Sequence, residues 1–342
     1  MKLYDIAIRP VGPLGTPLKG DTLLGHFVWQ VVHNEGLVAG GVERLVSSYC
    51  ENPCVVFSSA FPRIPGTEQR YALKKPDLPS AAWPQMKVLD KSQRIRQAKD
   101  FKRLKWMIVG ADLGIDLGRN ELKDDRGLAD DVVRASKVEL RRELQKAGIG
   151  SFCEESPRQH NTINRNTGTT GKGPFAPFVT DCTYYQPGAT LSVFALIDEE
   201  VTSGEQVSKA LKNIGKFGFG KDASVGMGRF AVEGCKEITI PPADTANACY
   251  CLAPCVPEQG SFHKAYFVPF VRFGKHGDAL ARSKNPFKNP VIMADDGAVF
   301  FPKDRDAFHK PFIGRGITGL SKSCESTVTQ GFAPYLPIRV EL

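Results

Sequence analysis

TLSVFALIDEEVTSGEQVSKALKNIGKFGFGKDASVGMGRFAVEGCKEITI, Thr190 to Ile240, sets the order of elements from which the fold follows. TLSVFALID is a β-rich apolar run and reads as a strand. Ser203 followed by Gln206 has capping-box spacing, and Val207, Ala210, Leu211 and Ile214 recur as one buried helical face. Gly215 is placed to end that helix. Beyond it, RFAVEGCKEITI returns as a strand.

Between the helix and the last strand, Gly215, Gly218, Gly220, Gly226 and Gly228 are interleaved with Lys216, Lys221 and Arg229. Glycine is tolerated where φ must be positive or another backbone must come close. Glycines at this density beside cations predict backbone amides wrapped around an anion, most simply phosphate. Gly215, four residues, Gly220 and Lys221 come near a P-loop, but Asp222 stands where that motif needs Ser or Thr to hold Mg²⁺. The order also differs, because a P-loop follows a strand and opens a helix. Gly218-Phe219-Gly220 as a dinucleotide fingerprint fails on the same ground. The segment reads instead as a grip on a ribose-phosphate chain. Arg229 is the residue expected to reach a phosphate. Phe217 and Phe219 either stack on bases or anchor the loop, with anchoring favoured for Phe219.

A matching unit opens the chain. Tyr4, Ile6 and Ile8 alternate with Asp5, Ala7 and Arg9 as a half-buried strand. After the turn VGPLGTPLKG a helix is expected, capped by Asp21 or Thr22, with Leu24, Phe27, Val28, Val31 and Val32 on its apolar stripe and Gly36 as its stop. Two β-α units with strands between them predict the split β-α-β of a ferredoxin-like domain. Lys19 and the free amides at the helix start would make an anion site. His26, one turn in, would act as a base only with a partner and a substrate in reach; otherwise it serves structure or hydrogen bonding.

The middle of the chain is less regular. From Lys91 to Lys105 there are seven cations and one acid, Asp100. That pattern fits a solvated helix face, and Phe101, Leu104 and Trp106 also leave an RNA-facing helix open. PRQHNTINRNTGTTGKGPF (157–175) carries Arg158, Arg165 and Lys172 without an acid and reads as a protruding β-hairpin, with a flexible surface loop as the alternative. Pro241, Pro242 and ADTANA form a linker, and the rest reads as strands with little helix. HKPFIGRGITGL (309–320) adds a short glycine loop around Arg315.

The 342 residues suffice for two domains, and 42% hydrophobic with 24% charged content excludes global disorder. A net charge of +8 favours a polyanionic partner. MKLYDIAIRP lacks a signal-peptide core and no segment has the length of a membrane span, so a cytoplasmic location is expected. The nine cysteines read as free thiols. Cys249, Cys251 and Cys255 lack zinc-site spacing and fit small packed hydrophobes better than a metal site.

PLKGDTLLGHFVW (17–29), HNTINR (160–165), GFGKDASVGMGRF (218–230) and KPFIGRG (310–316) followed by GFAPYLPI (331–338), in this order, resemble the RAMP-superfamily proteins of CRISPR effector complexes. The likeness is greatest to the Csm subunit-four family of type III-A systems, in the Cas-five group. It implies an α+β chain of two ferredoxin-like (RRM-like) domains: residues 1–242, with an insertion at about 60–150, a thumb hairpin at about 157–175 and a glycine-rich loop at 215–228, and a smaller domain at 243–342. It implies a non-catalytic RNA-binding subunit with no cofactor and no metal. The implied RNA contacts are Lys19, Gly20, Asp21, Thr22 and His26 in the first motif, and Arg158, His160, Asn161, Thr162, Asn164 and Arg165 in the thumb. Lys216, Phe217, Gly218, Gly220, Lys221, Ser224, Gly226, Gly228 and Arg229 follow in the loop, and Gly314, Arg315 and Gly316 in the closing motif. The implied partners are the 5′ handle of the CRISPR RNA, the Cas-ten-type large subunit (Csm subunit one), the backbone subunit (Csm subunit three) and, indirectly, target RNA, with no membrane. A Cas-six-like repeat endoribonuclease with His26 as general base is the enzymatic alternative. A generic interaction module with incidental charge is the third.

Overall fold

The structure is a computed structural model that describes residues 1–148 and 150–341. The chain begins with β1 (Lys2–Pro10), α1 (Gly20–His33), α2 (Gly41–Ser48) and β2 (Val55–Ile64). A long excursion follows: β3 (Arg70–Lys74), α3 (Pro84–Lys87), α4 (Lys91–Arg103), β4 (Trp106–Val109), β5 (Leu122–Lys123), α5 (Asp125–Ala135) and α6 (Val138–Ala147). The hairpin strands β6 (Cys153–His160) and β7 (Phe178–Tyr185) lead to β8 (Leu191–Ile197), α7 (Gly204–Phe217) and β9 (Phe230–Ile238). The second half holds β10 (Ala248–Cys251), β11 (Phe262–Tyr266), β12 (Pro269–Arg272), β13 (Val291–Ala294), β14 (Val299–Pro302), β15 (Phe312–Gly314) and β16 (Phe332–Ile338).

The first sheet runs β5-β4-β3-β2-β8-β1-β9, antiparallel throughout. Its β2-β8-β1-β9 portion joins two β-α-β units, β1-α1-β2 and β8-α7-β9, in the interleaved order of a split β-α-β arrangement. α1 packs on β2 and against α7, and α7 packs on β9. The expected insertion is partly an extension of this sheet, since β3, β4 and β5 continue it past β2.

β1 departs from the expected half-buried strand, because Leu3 to Ile8 are buried on both faces. Asp5 sits on the second face at 4% exposure, where Tyr71 Oη donates to it at 2.8 Å and Arg63 Nη2 lies 3.1 Å away. A buried carboxylate is tolerable only when paired in this way.

α7 begins with the expected capping box: Ser203 Oγ accepts from the Gln206 amide at 3.3 Å, and Gln206 Oε1 accepts from the Ser203 amide at 3.0 Å. The helix then runs past Gly215 to Phe217. Gly215 is there for close approach, since a Cβ would collide with the Phe230 carbonyl of β9. Gly218, at φ 109°, ends the helix instead. α1 likewise starts at Gly20, with no side-chain cap from Asp21 or Thr22.

The second half pairs as β11-β14-β10-β16-β15, with β12-β13 as a separate two-stranded ribbon. No α-helix follows Phe217 among the described residues. The strand-rich reading of this half is therefore right, while the expected second ferredoxin-like unit lacks its helices. Residues 257–292 contain no apolar run at helical spacing, and their prolines and glycines favour turns and short strands. The two halves share one core: Ile6, Phe27, Phe57, Phe194 and Leu196 lie in the same buried cluster as Tyr250, Phe301, Phe332 and Leu336.

Candidate nucleic-acid interface

The glycine-rich loop is tied to the β1–α1 connection, to α1 and to the base of the β6–β7 hairpin. The Gly228 amide donates to Pro13 O at 2.8 Å, the Val11 amide to Arg229 O at 2.8 Å, and the Lys221 amide to Thr16 Oγ1 at 2.9 Å. Leu14 and Thr183 exchange amide–carbonyl bonds at 2.9 Å. Lys221 Nζ reaches Thr180 Oγ1 at 3.3 Å, and Cys182 touches Met227 through their sulfurs at 3.9 Å.

His26 holds the centre of this arrangement. Its Nε2 accepts from the Gly220 amide at 3.0 Å, and its ring lies 4.7 Å from that of Phe219. An acceptor nitrogen must be unprotonated, and burial pushes the imidazole from 6.5 down to about 4. The nitrogen that a general base would use is thus occupied by a backbone amide.

The glycines act differently from the expected anion cradle. The amides of Gly218, Phe219, Gly220, Lys221, Val225, Gly226, Met227 and Gly228 all donate inside the protein. Gly218, Gly220, Gly226 and Gly228 take φ of 109°, 71°, 90° and 71°, and so let the loop fold back on itself. Asp222, also at positive φ, closes the turn by accepting from the Val225 and Met227 amides. What faces solvent is side chains: Lys216, Phe217, Lys221, Ser224 and Arg229. Lys216, Lys221 and Arg229 make no ion pair among the described residues. Phe219 is wholly buried while Phe217 is 76% exposed, which separates the anchor from the available ring.

The residues at the start of α1 face the second half of the chain. Lys19 pairs with Asp295, lies 3.4 Å from Asp296 and sits 4.7 Å over the Phe270 ring. Asp21 is buried in a two-pronged pair with Arg272, whose Nη2 donates to Oδ1 at 2.8 Å. Gly20 lets α1 close against β2, since a Cβ would collide with the Phe57 carbonyl. Thr22 is half-buried, its amide bonded to Lys19 O at 3.1 Å. These residues bolt α1, and through His26 the loop, to the second half. Arg272, Asp295 and Asp296 were not anticipated as their partners.

The thumb is an ordered hairpin longer than expected, paired from Cys153–Tyr185 to His160–Phe178. His160 stacks on Phe178 with centroids 5.0 Å apart and an 8° tilt. At the tip, Asn164 O accepts from the Gly168 amide at 2.8 Å and its Oδ1 accepts from the Asn166 amide at 3.0 Å. Asn161, Thr162 and Arg165 are exposed there, and Arg158 is half-buried lower on the strand.

The closing motif lies elsewhere. Gly314, at φ 90°, packs on the Gly331 carbonyl, Gly316 fits beside Cys50, and the Arg315 amide donates to Val256 O at 3.1 Å. Arg315 is exposed, but its neighbours are not those of the glycine-rich loop. α4 is capped by Asp90 and held by Phe101, which meets Trp83 edge-on at 5.5 Å. Arg94, Arg96, Lys99 and Lys102 on it are exposed, and the Lys91 side chain is outside the described residues. Cys249, Cys251 and Cys255 are buried free thiols, and no three metal-ligating side chains converge among the described residues. No helix among them is long and apolar enough to cross a membrane.

No family model and no curated protein matches the chain. Solved structures do. A chain of the Csm1–Csm4 cassette in complex with pppApA matches at TM-score 0.54 and 16% identity, covering 99% of this chain and 98% of that chain. The cassette in complex with cA4 matches at 0.55 and 16%, with the same coverage. A chain of the Csm3–Csm4 subcomplex in the type III-A CRISPR-Cas interference complex matches at 0.53 and 13%, covering 99% and 100%. At such identities the likeness concerns fold, and the member common to both assemblies is Csm4: this chain has an α+β fold of the Csm4 kind.

Proposed function

We propose that this chain is a non-catalytic, Csm4-type subunit of a type III-A CRISPR-Cas effector complex, acting in antiviral defence in the cytoplasm. It grips the 5′ handle of the crRNA and docks a Csm1-type large subunit and a Csm3-type backbone subunit. In this reading residues 1–242 form the gripping part and residues 243–342 buttress it. The observation that carries the reading is the joining of loop and thumb at Lys221. Its amide is fixed to Thr16 and its ammonium reaches Thr180 on β7 of the hairpin, with Arg229 and Phe217 exposed nearby in sequence. Cations and an open aromatic ring beside a protruding hairpin suit a single strand held in an irregular path. His26, neutral and committed to Gly220, favours a structural role over the endoribonuclease alternative.

Purified protein titrated with an RNA carrying a repeat-derived 5′ segment tests this. Affinity should fall steeply with salt, by roughly 0.7 in log–log slope per phosphate contacted, and the RNA should stay intact. Cleavage that His26→Ala abolishes would establish the endoribonuclease. A flat salt dependence would leave only a generic interaction module.

A further inference from the structure

The β12–β13 ribbon breaks the rule that a one-sided sheet turns polar side chains to water. Its inward positions behave as expected: Met293 is buried, and Arg272 and Phe270 point to the Asp21 and Lys19 pairs, while Ala294, at the end of the opposite face, is covered where it bridges to Cys255. Along the strand and its continuation, Arg272, Gly274 and His276 lie inward while Val271, Phe273 and Lys275 lie outward. Apart from Lys275, the outward set is apolar where water should be met. Val271 (43% exposed) faces Ile292 (72%) in register, and Phe273 (75%) and Phe287 (64%) follow along the ribbon. Lys275 bridges to Phe287 and sits 5.4 Å from its ring. Lys275, on the ribbon, and Lys284, three residues before Phe287, are exposed and make no ion pair among the described residues, whereas the acid Asp278 is already engaged by His33 at 2.7 Å.

We propose that this face is a protein-docking surface, and that its occupant is a partner whose contact surface is apolar at the centre and acidic at the rim. An apolar patch at the middle with cations at its edge is the anatomy of a protein interface. The free lysines without competing local acids set the partner's sign. Val271 and Ile292, the registered centre, are aliphatic and have no π-face to offer a base, which favours a protein over RNA at the centre, with the rings of Phe273 and Phe287 beside them. The inference rests on the reading of the chain as a subunit of a larger assembly, and supplies the face that reading leaves unassigned.

The test uses the chain co-purified separately with a Csm1-type and with a Csm3-type subunit. Val271→Glu/Ile292→Glu should weaken association with one of them by at least about thirtyfold, with unchanged affinity for the repeat-derived RNA. Phe273→Ser and Lys275→Glu/Lys284→Glu, at exposed positions that leave the core intact, should weaken the same association by about tenfold. Undiminished association with both subunits in all variants overturns the proposal. So does a loss confined to RNA binding, which would make the ribbon a nucleic-acid surface, or a wild-type dimer that the variants turn into a monomer. If the wild type binds neither subunit, the functional reading fails first and the proposal falls with it.

Discussion

Replacing His26 probes how the glycine-rich loop is held. In His26→Ala the Gly220 amide loses its acceptor and Phe219 loses the ring 4.7 Å away. The part-buried amide so orphaned costs up to about 1–3 kcal/mol, and the vacated ring space adds a cavity term of similar size. The expected loss is therefore about 2–5 kcal/mol. His26→Gln separates two effects, because its carbonyl can accept the same bond but cannot titrate. Burial holds the native imidazole at about 4 against 6.5 in the unfolded chain, so below 6.5 the unfolded state binds the proton first. Stability from the neutral ring is complete above the unfolded value and drains away as pH falls towards the folded one. Between about pH 7 and about pH 4.5 the wild type should lose roughly 2 kcal/mol relative to His26→Gln. Urea unfolding at both pH values measures that difference directly. Parallel pH profiles for wild type and His26→Gln would refute the neutral-acceptor assignment, as would a His26→Ala variant as stable as the wild type.

The two phenylalanines of the loop should part company: Phe219→Ala loses about 3–5 kcal/mol in denaturant unfolding. Phe217→Ala should leave stability within about 0.5 kcal/mol and weaken RNA binding by about 1–3 kcal/mol in a filter or fluorescence titration. Arg272→Ala strands the Asp21 carboxylate and should cost about 3–5 kcal/mol, most of it recovered when Asp21→Asn is added; a non-additive cycle is the readout. Arg229→Gln and Lys221→Gln should each reduce the salt slope of RNA binding by roughly 0.7 without altering the melting temperature, and an unchanged slope would remove that residue from the phosphate path.

The local elements were the legible part. The Ser203–Gln206 capping box and the hairpin around Gly168 depend on residues close in sequence. What could not be read was set by tertiary contacts, two of them more than two hundred residues apart. Asp21 looked like a cap because Asp is favoured there, but Arg272 outbids the helix amides with a charged, two-pronged bond. Lys19 resembled an anion site for the same reason, until Asp295 and Asp296 are placed beside it. Gly215 looked like a helix stop because glycine serves both as a terminator and as a point of close approach. Only the position of Phe230 distinguishes the two.

The same distinction bears on how binding at the loop must work. Had the glycines left their amides free, an anion would be gripped by backbone dipoles fixed in place, as in a phosphate cradle. Here those amides are spent on Pro13, Thr16, His26 and the loop's own carbonyls, so the backbone supplies rigidity and side chains supply attraction. Attraction by exposed Lys and Arg is screened by salt and indifferent to base identity. If the chain grips RNA as proposed, a loop of this kind fixes where the strand runs, and any discrimination between strands has to come from elsewhere. The neighbouring hairpin is placed to supply it, because His160, Phe178 and the exposed Ile163 offer shape and stacking that phosphate contacts lack. Since Lys221 joins the loop to Thr180, a change at the Arg158–Thr180 rung of the hairpin should be felt in the loop, whereas a change at its tip should not.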